Sequence, residues 1–226
     1  MPMIKVIIFD ADGPLYFRTG DVASKIQKLL ENYGFTGDVR VFSEQYDKEK
    51  YVAYAGDESP AKMFQNVLSS IGVNSTIEEA KEFGNKFDEI YVNVTATPDA
   101  LATLKQLKSA EYQTCVLTDS YYHANTKWPM FERIGLKQYL DDMVISIDIK
   151  QLKSTPEAYQ ACLDRFGVSA DEAVFVGHQQ YEMDGAKAAN VTSIAILPIA
   201  TPNIKADYTI DNLSELPDLL EKINNN

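Results

Sequence analysis

The chain has 226 residues, 45% hydrophobic and 24% charged, an ordinary balance for a globular protein of one large domain or one domain with an insertion. Its formal charge of -12, with no Lys/Arg run to offset it, excludes phosphate-backbone binding, so no nucleic-acid partner is expected. No apolar stretch approaches the ~20 residues a membrane span needs, and the N-terminus enters a strand without a secretory leader; no membrane partner and a cytoplasmic location are expected.

The first element is the strand Lys5–Phe9, which ends in Asp10-Ala11-Asp12-Gly13. Two carboxylates at the C-terminal edge of a parallel strand repel each other unless a cation neutralises them. Asp and Gly also favour turns, so this run taken alone is ambiguous between turn and site. Roughly a hundred residues then separate the first strand from the second, far more than a crossover connection needs. Their pattern is helical. Val22–Tyr33, Pro60–Ile71 and Ile77–Val92 each carry apolar residues at helical spacing, which predicts a small helical insertion just after the double-Asp turn.

Downstream, strands and helices alternate. Strands are predicted at Gln113–Leu117, Asp142–Ser146, Ala173–Val176 and Thr192–Leu197, with Tyr208–Ile210 at an edge. Helices are predicted at Pro98–Ala110, Thr155–Phe166 and Leu213–Ile223, and the Asn224–Asn226 tail is expected to fray. This alternation predicts an α/β fold, a three-layer sandwich around a mostly parallel sheet. Core residues 1–16 and 93–226 would flank a small α-helical cap at 17–92. Cys115, in a strand, and Cys162, in a helix, read as small core residues rather than a disulfide or metal pair.

Chemistry-bearing residues recur at the strand ends. The second strand ends Leu117-Thr118-Asp119-Ser120; a hydroxyl there can donate to a phosphoryl oxygen, although Thr118 alone reads more readily as a helix N-cap. Lys153 precedes a helix opening at Pro156 and can neutralise the acids, with Lys150 competing for the role. The fourth strand ends Val176-Gly177-His178, followed by Glu182 and Asp184, either metal-ligand candidates or ordinary acids of a helix N-terminus.

The ordered series Asp-x-Asp-Gly, Thr118, Lys153-x-x-Pro-Glu and a glycine loop running into Gly185-Ala186 resembles the haloacid dehalogenase-like (HAD) hydrolase superfamily over nearly the whole chain. The resemblance implies a Rossmann-like core with a cap. It implies Asp10 as a nucleophile forming an aspartyl-phosphate and Asp12 as the proton shuttle, with Thr118 and Lys153 steadying the phosphoryl oxygens. It further implies Mg²⁺ held by Asp10, the Asp12 carbonyl and Glu182. The sequence departs from the family in one place: His178 stands where the fourth motif usually has Asp. Neutral imidazole is a poor Mg²⁺ ligand by type, so weakened Mg²⁺ binding is expected.

These readings converge on a Mg²⁺-dependent phosphatase for a small phosphorylated metabolite. A phosphomutase, a dehalogenase and a non-catalytic module with a degraded metal site are the competing readings. By the resemblance, a dehalogenase needs no Mg²⁺ and usually lacks the second acid, so Asp12 argues against it. For substrate binding, Thr118, Asp119, Lys153 and Arg18 are the candidates. Tyr46, Lys50 and Tyr54 share a helix face and are read as packing or solvated rather than pocket-lining.

Overall fold

A computed structural model describes residues 3–225. The central sheet has six strands: β1 (Val6–Phe9), β4 (Gln113–Thr118), β5 (Asp142–Ile145), β6 (Ala173–Gly177), β7 (Thr192–Ile196) and β8 (Tyr208–Ile210). Their order is β5-β4-β1-β6-β7-β8, and every pairing is parallel. All four β1 residues are buried, as both-face coverage of a parallel sheet requires. Alternate residues serve opposite layers. Ile7 and Phe9 join the apolar cluster under α5 (Ala100–Ser109), α6 (Ala124–Arg133) and α10 (Leu216–Asn224). Val6 and Ile8 face α8 (Pro156–Phe166) and α9 (Gln180–Ala188). A one-turn helix, α7 (Ser146–Ile149), follows β5. The α/β three-layer sandwich is thus observed, with every predicted strand present to within a residue or two.

The register fixes where chemistry can occur. Phe9 pairs with Val116 on one side and Val176 on the other, so Asp10, Thr118 and Gly177 emerge at one edge of the sheet. Strand order reverses at β1, with β4 and β5 lying to one side and β6 to β8 to the other. Such a switch point opens a crevice beyond the carboxyl ends of the strands.

The long interval after β1 holds four helices, α1 (Val22–Glu31), α2 (Val39–Tyr54), α3 (Pro60–Ser70) and α4 (Ile77–Tyr91). They are bracketed by the short antiparallel pair β2 (Tyr16–Arg18) and β3 (Val94–Ala96), which the sequence reading did not anticipate. These helices build their own aromatic core from Phe42, Tyr46, Phe64, Phe83 and Phe87. Gly84 is needed there, since a Cβ on it would stand 2.7 Å from the Phe64 ring. Tyr121, from the loop after β4, packs into the same cluster and ties it to the sheet edge.

Two local expectations meet the structure differently. Asn224 does not fray: its side chain accepts from the Ile4 amide at 2.7 Å and donates to the Tyr112 hydroxyl at 3.0 Å, while Asn226 lies outside the described residues. Cys115 and Cys162 are free and buried, as core residues should be.

Candidate active site

Asp10 leaves β1 with its amide donating to the Val176 carbonyl at 2.9 Å, which holds its side chain over the sheet edge at 3% exposure. Lys153 reaches it from the loop before α8. The Lys153 ammonium donates to Asp10 Oδ1 at 2.5 Å and to Glu182 Oε1 at 2.6 Å, with all three side chains buried. Glu182 is fixed in turn, because its Oε2 accepts the His178 and Gln179 amides, each at 3.0 Å, at the start of α9. Glu182 therefore both caps a helix and carries the counter-charge of Lys153. Burial alone would raise the Asp10 pKa, but Lys153 and then His178 outweigh it and hold the carboxyl down at about 2. Burial opposes charge on Lys153 as well, and Asp10 and Glu182 reverse this and push its pKa well above the ordinary lysine range.

Two glycines make this approach possible. A Cβ on Gly177 would stand 2.6 Å from Glu182 Oε2, and one on Gly185 would stand 2.0 Å from the Lys153 carbonyl oxygen. Gly13 turns the chain after Asp12 with a φ of +94°, a conformation that costs a residue with a Cβ. The Thr97 hydroxyl donates to the Gly13 carbonyl at 2.7 Å and anchors that turn.

All seven residues expected at the site, Asp10, Asp12, Arg18, Thr118, Asp119, Lys153 and Glu182, line one cavity of about 540 Å³. Arg18 donates to the Asp12 carboxylate and lies over the Tyr91 ring at 4.1 Å. Thr118 is buried at the end of β4 and is not a cap, since the following helix begins at Ala124 behind His123. Asp119 Oδ1 accepts the Lys153 amide at 3.0 Å, and burial raises the Asp119 pKa. Lys150 and Asp184 are exposed and outside the cavity, whereas Lys153 and Glu182 line it. The reading of Tyr46, Lys50 and Tyr54 as mere packing is corrected: all three line the cavity, Tyr46 while also buried in the helical core. One helix face there serves both purposes. Lys127, on α6, also lines the cavity and was missed; no motif marks it, and a helical lysine ordinarily reads as solvated.

Asp10, His178 and Glu182 each offer a ligand atom within 4.8 Å of the others. His178 Nδ1 sits 3.3 Å from Asp10 Oδ2, close enough to feel its charge but without hydrogen-bond alignment, and is buried with no hydrogen-bond partner. Burial lowers the His178 pKa, but Asp10 more than offsets this and raises it. Two carboxylates beside an unpartnered imidazole nitrogen fit a divalent cation, the oxygens suiting Mg²⁺ and the imidazole suiting first-row transition ions.

The model of the "haloacid dehalogenase-like hydrolase" family matches residues 7–196. The chain belongs to the haloacid dehalogenase-like hydrolases. It is 26% identical to (S)-2-haloacid dehalogenase 1 of Pseudomonas sp. (strain CBS-3), covering 99% of each chain. It is 24% identical to pyrophosphatase PpaX of Bacillus mycoides (strain KBAB4), covering 98% of this chain and 99% of that one. The crystal structure of a predicted phosphoglycolate phosphatase from Haemophilus somnus 129pt superposes with a TM-score of 0.74 at 20% identity, over 97% of this chain and 99% of that one. The protein is thus a hydrolase within a family whose members act on both phosphate and halide bonds. No helix among the described residues is long and apolar enough to cross a membrane.

Because the Gly185 Cα packs against the Lys153 backbone, Gly185→Ala must push the Lys153 loop away from Asp10. A loss of about 1–3 kcal/mol is expected, the usual cost of overpacking a rigid site. Urea unfolding checks it, and an unchanged midpoint would contradict the close approach.

Proposed function

We propose that this hydrolase is a phosphatase acting on a small phosphorylated metabolite through a covalent aspartyl-phosphate on Asp10. The observation that carries this reading is the second carboxylate, Asp12, which faces the same cavity as Asp10. A departing halide needs no proton, so in a dehalogenase Asp12 has no general-acid role. A departing alkoxide does, and general-acid assistance is typically worth ~10²–10⁴-fold.

In this reading an Asp10 carboxylate oxygen attacks phosphorus, and the bond from phosphorus to the ester oxygen breaks. That oxygen takes its proton from Asp12, whose carboxyl is oriented by Arg18. Asp12 then removes a proton from the water that cleaves the aspartyl-phosphate and returns Asp10 as carboxylate. Thr118 and the Lys153 ammonium steady the phosphoryl oxygens, so that positioning and charge neutralisation supply most of the acceleration. Asp10, Glu182 and the Asp12 backbone carbonyl would hold Mg²⁺ beside His178, and the ion would supply further neutralisation of phosphoryl charge. The helices α1 to α4 serve as the cap over this site, with the core on either side of them in sequence.

Asp10→Asn should abolish phosphate release from a panel of metabolite phosphates, and Asp12→Asn should remove ~10²–10⁴-fold of the rate in a steady-state assay. Near-normal turnover by the Asp10→Asn protein, with the amide verified by mass, would exclude the covalent route.

His178 replaces a carboxylate with an imidazole, and hard Mg²⁺ favours oxygen. His178→Asp should therefore lower the Mg²⁺ concentration giving half-maximal rate. Chelation should silence both proteins, and activity that survives chelation would remove the metal from the mechanism.

A further inference from the structure

Lys127 lines the active-site cavity, but no step described above uses it. It is 5% exposed, and its Nζ donates to the Tyr16 hydroxyl at 3.0 Å. The Tyr16 and Tyr122 rings flank it, with centroids 5.7 and 5.8 Å from the ammonium. Among the described residues no carboxylate lies within ion-pairing distance of it. The site carboxylates whose charge reaches it are already engaged, Asp12 by Arg18 and Asp10 by Lys153.

A buried ammonium with one hydrogen bond and no counter-ion is costly, because an ammonium has three donors and desolvation is repaid only by a close opposite charge. The cost is visible in its ionisation: burial pulls the Lys127 pKa down to about 8 despite Asp12. A second cationic donor nearby is also unsatisfied. Arg18 uses one guanidinium nitrogen on Asp12, while its Nε is buried without a partner. Both side chains line the cavity that receives the ester. An arriving anion relieves both.

We propose that Lys127 and Arg18, with the Tyr16 hydroxyl between the sheet edge and α6, form a subsite for a second anionic group on the leaving-group side of the substrate. The substrate class is then a phosphate ester that also carries a carboxylate or a second phosphoryl group. This deepens the phosphatase reading and rests on it for the identity of the reacting bond alone.

The test is calorimetric titration of Asp10→Asn protein, which cannot turn over, with and without Lys127→Met. The probes are phosphoglycolate, ethylene glycol bisphosphate, ethyl phosphate and unphosphorylated glycolate. Methionine is near in length and removes an unpaired buried charge, so the thermal midpoint should not fall. The acidic esters should bind more tightly than ethyl phosphate, and Lys127→Met should shrink that ratio about tenfold to hundredfold, the worth of a charge-assisted hydrogen bond. Whichever acidic ester loses more identifies the group as carboxylate or phosphoryl. Lys127→Arg should restore part of the ratio. Equal binding of ethyl phosphate and of the esters with a second anionic group, or a ratio indifferent to Lys127→Met, overturns the subsite. Lys127-dependent binding of glycolate without affinity for any phosphate ester supports the subsite and overturns the phosphatase reading instead.

Discussion

The Lys153 ammonium, held between Asp10 and Glu182, is the interaction on which the rest of the site depends. It draws together three chain segments, the end of β1, the loop before α8 and the start of α9; Asp10 lies 143 positions from Lys153 and Glu182 lies 29. Two carboxylates buried this close are unstable without a cation, and a lone buried ammonium is equally unstable. Each therefore specifies the other's position. Gly177 and Gly185 follow from this constraint, since only residues without a Cβ let Glu182 and the Lys153 backbone approach so closely. Asp10 is kept ionised by the same contact that orders the loops.

Above this cluster the cavity changes character. Its lining includes tyrosines from the inserted helices α2 and α4 as well as from the sheet edge, with cations laid over their rings: Arg18 over Tyr91, and Lys50 over Tyr51 at 5.2 Å. Ring faces carry partial negative charge and hold these cations in place beside their carboxylate partners, Asp12 for Arg18 and Asp47 for Lys50. The result is a wall of aromatic rings and ion pairs. In the proposed phosphatase reading this division separates reaction from selection, with phosphorus at the sheet edge and the attached group met by the residues across the cavity.

Much of this was legible in the sequence, for physical reasons. Parallel strands buried on both faces read as apolar runs, and chemistry collects where such runs stop, so Asp10, Thr118, Lys153 and Glu182 were marked by position as well as type. Residues that act from helix faces carried no such mark. Lys127 sits in α6, which contains Pro129 and lacks a side-chain cap, so neither the helix nor its buried lysine was evident. The β2–β3 pair escaped notice because three-residue strands give too short an alternation to read, and their partner lies across the entire helical insertion. Tyr46 belonged to both a core and a cavity, two roles that the spacing of one helix cannot separate.

The central claim is that Asp10 and Lys153 stabilise the fold as one charged unit, and a double-mutant cycle measures this most directly. Lys153→Met alone leaves two buried carboxylates without their cation and should cost about 3–5 kcal/mol in urea unfolding. Adding Asp10→Asn removes one of those carboxylates, so the double variant should be more stable than Lys153→Met alone. Costs that instead add to within about 0.5 kcal/mol, as for independent sites, would contradict the account.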